Sequence, residues 1–219
     1  MAEEDGFVRM IADAQAFFGK LRKNNRKDWF DPRKEAYRET ILKPAELFST
    51  LMEEELSKLT GAGQVGKIFR IYRDVRFSKD KTPYNAHLHI LWSEAGGAPH
   101  MPAFFFAADP DGVRAAVGAV GYKGEALTRY RKLIDGRGDD LVAAMEAAEA
   151  WLIDFGAEPL KRVPSGFDPD HAHAELLKRK GFVAMTDVTD WRSGGVIETV
   201  RDTYKTLMPV YRMLAEVVP

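Results

Sequence analysis

Six basic side chains, Lys67, Arg70, Arg73, Arg76, Lys79 and Lys81, fall between positions 67 and 81, with only Asp74 and Asp80 to balance them. This local excess stands out on a chain whose net charge is −1. Arginine suits phosphate and carboxylate because its planar fork donates two parallel hydrogen bonds to one oxyanion. Alternation predicts a strand from Ile68 to Ser78, with Phe69, Ile71, Val75 and Phe77 on one face and Arg73 among them. The opposite face then carries Arg70, Tyr72, Asp74 and Arg76. On this reading Arg70 and Arg76 grip a small anionic or phosphorylated ligand beside Tyr72. Asp74 orients them, and Lys81 and Tyr84 close the pocket from the following turn. An ion network that pins a hairpin accounts for the same charges, since structural pairs are common.

Arg73 falls on the apolar face, where an unpaired charge costs several kcal/mol. Either a helix carboxylate meets it, from Glu46, Glu53 or Glu55, or a bulge after Tyr72 turns it outward; a buried pair is the favoured expectation. His87 and His89 share one face of the next expected strand, a spacing at which two imidazoles can hold a metal with Asp74 as third ligand. A metal site needs three or four ligands in defined geometry, and no such set is legible, so no metal is assigned. His171 and His173 are weaker candidates, His171 standing near an expected helix start where an anion could bind. Gly118-x-x-Gly121-x-x-Gly124 matches neither the dinucleotide fingerprint nor a phosphate loop and reads as a strand-to-helix turn; no cofactor is expected. The pair Lys161-Arg162 reads as an exposed loop. Trp29-Phe30 reads as a staple between the first helices rather than a base-stacking platform.

The elements that must position these groups run helical, then extended, then helical. Ile11, Ala14, Phe17, Phe18 and Leu21 recur at helical spacing, with a stop at Asn24-Asn25. Asp31-Pro32 opens a helix through Tyr37, and Pro44 opens another carrying Leu47, Leu51 and Leu59 to the Gly61-Ala62-Gly63 break. Tyr84 to Trp92, Pro102 to Ala108 and Val113 to Val120 read as further strands, the last two joined by the Asp109-Pro110-Asp111-Gly112 turn. Helices are expected over Glu125–Asp135, Asp139–Phe155, from Asp168-Pro169 to Gly181, and from about Val196 to Val217, with a strand at Phe182–Thr186. The expected fold is one α+β domain over residues 1–219, a central, mostly antiparallel sheet of four or five strands flanked by N- and C-terminal helices.

Three stretches resemble landmarks of a bacterial family catalogued as domain of unknown function 2461. They are Asn24-Asn25-Arg26-Lys27-Asp28-Trp29-Phe30, Arg70 to Tyr84, and Leu160 to Asp168. The family's signature, Arg-x-x-Arg-Asp-x-Arg-Phe followed by an acid or Asn, Lys and Tyr, falls on Arg70, Arg73, Asp74, Arg76, Phe77, Asp80, Lys81 and Tyr84. The resemblance runs over nearly the whole chain and implies a bacterial protein; it carries no mechanism, since the family has no established activity. Relatives carry a paired-glycine turn where this chain has Gly118-Ala119-Val120-Gly121-Tyr122.

Composition narrows the function classes. With 32 Lys plus Arg against 33 Asp plus Glu, no global field draws nucleic acid or an anionic membrane to the chain. The absence of cysteine excludes disulfides, thiolate nucleophiles and Cys-ligated metals, and fits a reducing cytoplasm. Met1-Ala2-Glu3-Glu4-Asp5 lacks the pattern of a signal peptide, and the apolar run Met101–Ala108 is too short to span a bilayer. The expectation is a cytoplasmic protein that binds a small anionic ligand. The alternatives are an enzyme using Asp74 or His87 as general base, with no catalytic residue assigned, and a charged module that meets an acidic protein partner. Oligomeric state is left unassigned.

Overall fold

The computed structural model describes residues 6–155, 158–193 and 195–218, so the acidic start at 1–5 lies outside the described residues. Helix α1 (Gly6–Lys23) buries Met10, Ile11, Ala14, Phe18 and Leu21 and stops where Asn24 turns its side-chain amide back onto the Lys20 carbonyl (2.9 Å). From Lys27 the chain stays helical to Thr60: α2 (Lys27–Phe30), a 3₁₀ turn at Asp31–Arg33, α3 (Lys34–Tyr37), a π turn at Arg38–Leu42 and α4 (Lys43–Thr60). Pro44 stands in the first turn of α4, as expected of proline at a helix start, but no break in the helical ladder precedes it. It sits inside a continuous one, where it offers no N–H to the carbonyl four residues back. The π turn spans that carbonyl's residue, Thr40, and widens the ladder to accommodate the proline.

The sheet is antiparallel and six-stranded, in the order β1-β2-β3-β4-β6-β5, with flanking helices in an α+β fold. Its strands are β1 (Gln64–Ile68), β2 (Leu88–Glu94), β3 (Ala103–Asp109), β4 (Gly112–Ala119), β5 (Trp151–Leu152) and β6 (Phe182–Asp187). The expected strands at 84–92, 102–108, 113–120 and 182–186 are present with shifted ends. Asp109 builds the expected turn by accepting the Asp111 and Gly112 N–H groups (2.7 and 3.1 Å). The expected helix through Phe155 ends instead at Ala147 in α5 (Gly124–Ala147), kinked at Arg137, and Trp151–Leu152 pairs with Met185 and Ala184 as β5. The helix expected from Asp168-Pro169 shrinks to α6 (Ala174–Leu177), because Asp168 caps only a local turn. Helix α7 (Val196–Ala215) follows the expected periodicity.

The chain divides into two compact units, 1–92 with 105–115 and 187–202, and 93–104 with 116–186 and 203–219. In the first, Phe48 of α4 packs on Phe106 and Trp92 (ring centroids 5.0 and 6.1 Å), and the Trp92 indole donates to the Ser49 carbonyl (3.0 Å). The buried face of α4 is Ala45, Phe48, Ser49, Met52 and Leu56, not the expected Leu47-Leu51-Leu59 row, and Leu47 is exposed. Gly66 of β1 lets α4 approach: a methyl group there would lie 2.2 Å from Ser49 Oγ and 2.9 Å from Trp92 Nε1. In the second unit Phe104 stacks on Tyr211 (4.8 Å), and Tyr122 stacks on Tyr130 (5.2 Å).

Candidate functional site

The regular strand ends where the alternation had it begin: β1 stops at Ile68, and the expected strand over Ile68–Ser78 is not formed. In β1 the even positions Gln64, Gly66 and Ile68 face inward, but the next buried side chain is Ile71, so the period slips between them. Beyond Ile68 the chain keeps some cross-strand pairing but bends at Ile71. The Phe69 N–H donates to the His89 carbonyl (2.9 Å), Asn85 N–H to the Ile71 carbonyl (2.7 Å) and Arg73 N–H to the Pro83 carbonyl (2.9 Å). These bonds place Phe69 opposite His89 but bridge Tyr72 to Tyr84, so the returning strand carries two extra residues around Ala86-His87. Such a bulge twists the ladder and ends regular pairing. From Asp74 to Thr82 the chain is an irregular loop. The expected apolar face fails with it: Ile71 is buried, Val75 half-buried, Phe69 38% exposed and Phe77 96% exposed.

The six residues read as one ligand-binding face are dispersed. Arg70 and Tyr72 line a cleft in the first unit. Asp74 and Arg76 occupy each other in a two-pronged ion pair (2.9 and 2.6 Å), and that pair holds the Asp74 carboxyl below its usual range. A carboxylate so engaged is a weak general base. Lys81 turns back to the Val75 carbonyl (3.0 Å) and fastens the loop. Tyr84 is buried against Phe30 (4.4 Å), its backbone gripped on both sides by the Asn25 amide (2.8 and 3.1 Å). Among the described residues Arg73 meets no helix carboxylate. It bonds Asp80 (2.6 Å), the Thr82 carbonyl (3.1 Å) and the Thr82 hydroxyl within its own loop, and Asp80 remains 60% exposed. Of its expected partners, Glu53 accepts the Gly66 N–H and Glu55 pairs with Arg201.

The cleft measures about 660 Å³, within the range of small-molecule sites. One wall is the run Ile68-Phe69-Arg70-Ile71-Tyr72; the other is the helical ladder with Phe30, Asp31, Lys34, Glu35, Tyr37, Arg38, Leu42 and Glu46. Positions 31, 34, 35, 38 and 42 recur at helical spacing, and the π turn carries Arg38 and Leu42 into that wall. Its charges balance, Lys34, Arg38 and Arg70 against Asp31, Glu35 and Glu46, and among the described residues none of the six forms an ion pair. The Tyr37 phenol is pushed up to about 12, first by burial and then by Tyr72, so it stays a neutral donor. Neither tyrosine hydroxyl hydrogen-bonds another described residue. The helical wall was missed in the sequence because exposed charges on a helix are the ordinary case. The available signal was Pro44 inside a helical pattern.

A second, more polar cleft of about 340 Å³ lies in the same unit, lined by Arg22, Asn25, Arg73, Asp80, Thr82, Tyr84, Asn85, Ala86 and His87. Burial lowers the pKa of His87, and it lowers that of His89 to about 4 with help from His87; His89 stacks on Phe69 (4.7 Å). Among the described residues no three His, Cys, Asp or Glu side chains gather as a metal site. In the second unit His173 meets Asp139 (2.7 Å), and His171, read from the sequence as an aid to an anion, faces the Asp135 carboxylate (3.7 Å). Gly121 and Gly124 take left-handed backbone between β4 and α5, the turn expected there. Lys161 and Arg162 are exposed. Phe30 and Trp29 staple the first helices through Phe17 (6.2 and 5.6 Å).

No helix of the described residues is long and apolar enough to cross a membrane. No curated protein matches the chain. A family model described as "Conserved hypothetical protein (DUF2461)" matches residues 13–213, nearly the whole length, and includes both walls of the cleft. With its Arg70-to-Tyr84 signature set along one edge of the sheet, the chain belongs to the family of domain of unknown function 2461.

Proposed function

We propose that the protein binds a small ligand with an apolar body and one anionic group in the cleft between Ile68–Tyr72 and the helical wall. One observation carries the reading. Of the three arginines at 70, 73 and 76, Arg73 and Arg76 are consumed by Asp80 and Asp74, while the Arg70 guanidinium, whose charge reaches Asp74 only at a distance, makes no hydrogen bond or close ion pair among the described residues and borders the cleft. An exposed arginine beside aromatic side chains offers an oxyanion two parallel hydrogen bonds. Phe30, Phe69 and Tyr72 supply the apolar contact, and the Tyr37 hydroxyl a neutral donor. The equal numbers of acids and bases favour one anionic group on the ligand over a polyanion.

The reading separates residues that the motif alone treated alike. A thermal-shift panel of phenylpropionate, inorganic phosphate and nucleoside monophosphates should give a rise with at least one probe. At a concentration a hundredfold above the dissociation constant the gain is about 2.7 kcal/mol, or roughly 5–10 °C for a chain of this size. Arg70→Met should remove the rise and leave the unliganded melt nearly unchanged. Arg76→Met should keep it, because Arg76 serves the Asp74 pair. A rise that survives Arg70→Met, or no rise with any probe, overturns the proposal.

A further inference from the structure

The outer edge of β1 is guarded along only part of its length. Its outward N–H groups alternate: Gln64 donates to Ser57 Oγ (3.0 Å) and Gly66 to Glu53 Oε1 (2.8 Å), both from α4. At the odd positions the Phe69 and Arg73 N–H groups donate inward, and the Ile71 carbonyl accepts the Asn85 N–H from the same side. Ile68, Arg70 and Tyr72 therefore continue the outward series, where β1 has no neighbouring strand. The N–H groups of Arg70 and Tyr72 have no partner among the described residues, and the Arg70 carbonyl takes Asn85 Nδ2 (3.2 Å) on one of its two lone pairs. Five consecutive residues, 68–72, line the cleft. A strand presenting one face would contribute alternate residues, so the backbone borders the cleft edge-on. Proteins usually cover or charge such an edge, as α4 does at Gln64 and Gly66.

We propose that the ligand class of this cleft is an extended peptide segment, added to the sheet edge at Ile68–Tyr72 with one carboxylate on Arg70. The inference rests on the binding role given to the cleft above. An added strand gains affinity from main-chain bonds to Ile68, Arg70 and Tyr72 and specificity from its alternate side chains. One side-chain set reaches Phe30, Tyr37 and Leu42 on the helical wall, while an acidic residue complements the unpaired Arg70. A small aromatic acid would use Arg70 and the rings but leave the backbone donors unmet.

The probes are acetylated and amidated hexapeptides of alternating valine and threonine, with a single glutamate stepped through the positions, measured by calorimetry. One glutamate register should bind, and glutamine there should weaken it about tenfold, the equivalent of one charge-assisted hydrogen bond. That difference should vanish in Arg70→Met. N-methylation of the alternate backbone amides that face the edge should weaken binding at least about tenfold, whereas methylation of the other set should be tolerated. On binding, the amides of Ile68, Arg70 and Tyr72 should gain protection from hydrogen exchange. Equal sensitivity to both methylated sets, or no protection at these amides, overturns strand addition. If no peptide binds while phenylpropionate still does, the peptide inference fails and the cleft proposal stands. If neither binds, both fail.

Discussion

His89 and Asp80 carry their effects in adjacent ranges of pH, and both lose them as pH falls. Burial first, and His87 second, hold the His89 imidazole down to about 4, against about 6.5 for an ordinary histidine in the unfolded chain. Its folded pKa is depressed, so the stabilisation from keeping it neutral is whole above about pH 6.5 and is lost as pH falls towards about 4. Urea melts over that window should show a falling stability in the parent, with a shallower fall in His89→Gln. Asp80 acts lower. The Thr82 N–H, then Arg73, hold its carboxyl at about 2, so its contribution is whole above about pH 4 and fades towards about 2. An NMR titration of the Asp80 carboxyl should find a midpoint below the usual aspartate range, restored towards it in Arg73→Met. Phe77 offers the plainest check on the strand reading: at 96% exposed it contributes no core, and Phe77→Ser should change stability by less than about 0.5 kcal/mol. A buried-face phenylalanine would cost several times that.

At the scale of elements, the long helical ladder and β1 depend on each other through close approach. Gly66→Ala would drive a methyl group into Ser49 Oγ and Trp92 Nε1, and should cost about 1–3 kcal/mol in a denaturant melt, the usual range for overpacking. Pro44 acts on the opposite wall of the cleft. Pro44→Ala restores an N–H to the ladder and lets the π turn tighten towards α geometry. Arg38 and Leu42 would then rotate away from Ile68–Tyr72, and probe binding in the cleft should weaken while the protein remains folded. Helices α1 and α7 and strands β3, β4 and β6 were legible because each has a long periodic run or a turn made by its own residues, such as Asp109. Strand β5 has two residues and exists only because Met185 and Ala184 pair with it. Helix α6 is short because Asp168 closes a local turn instead of starting a long ladder.

For the whole molecule, a net charge of −1 leaves local pairing to decide where any anion binds. Of the cationic groups in the Arg70-to-Tyr84 stretch, Arg73, Arg76 and Lys81 are tied down within the loop. Non-specific nucleic-acid binding, which rests on many phosphate contacts, should therefore be absent in a gel shift at physiological salt. The family match over residues 13–213 fits the sequence landmarks, which lie in both compact units.

What the sequence determined by itself was the kind of fold, because hydrophobic period and turn chemistry are local and survive in one dimension. It also marked the Arg70-to-Tyr84 stretch as unusual, because charge density is local too. Only tertiary structure decided which arginines are spent. Arg73 and Arg76 find acids within their own loop, while Arg70, three residues before Arg73, borders a helical wall contributed by residues 30–46. The face on which each side chain falls was equally out of reach. The chain bends at Ile71 and the pairing register shifts by two residues around Ala86-His87, so the strand period of β1 does not carry on into the loop.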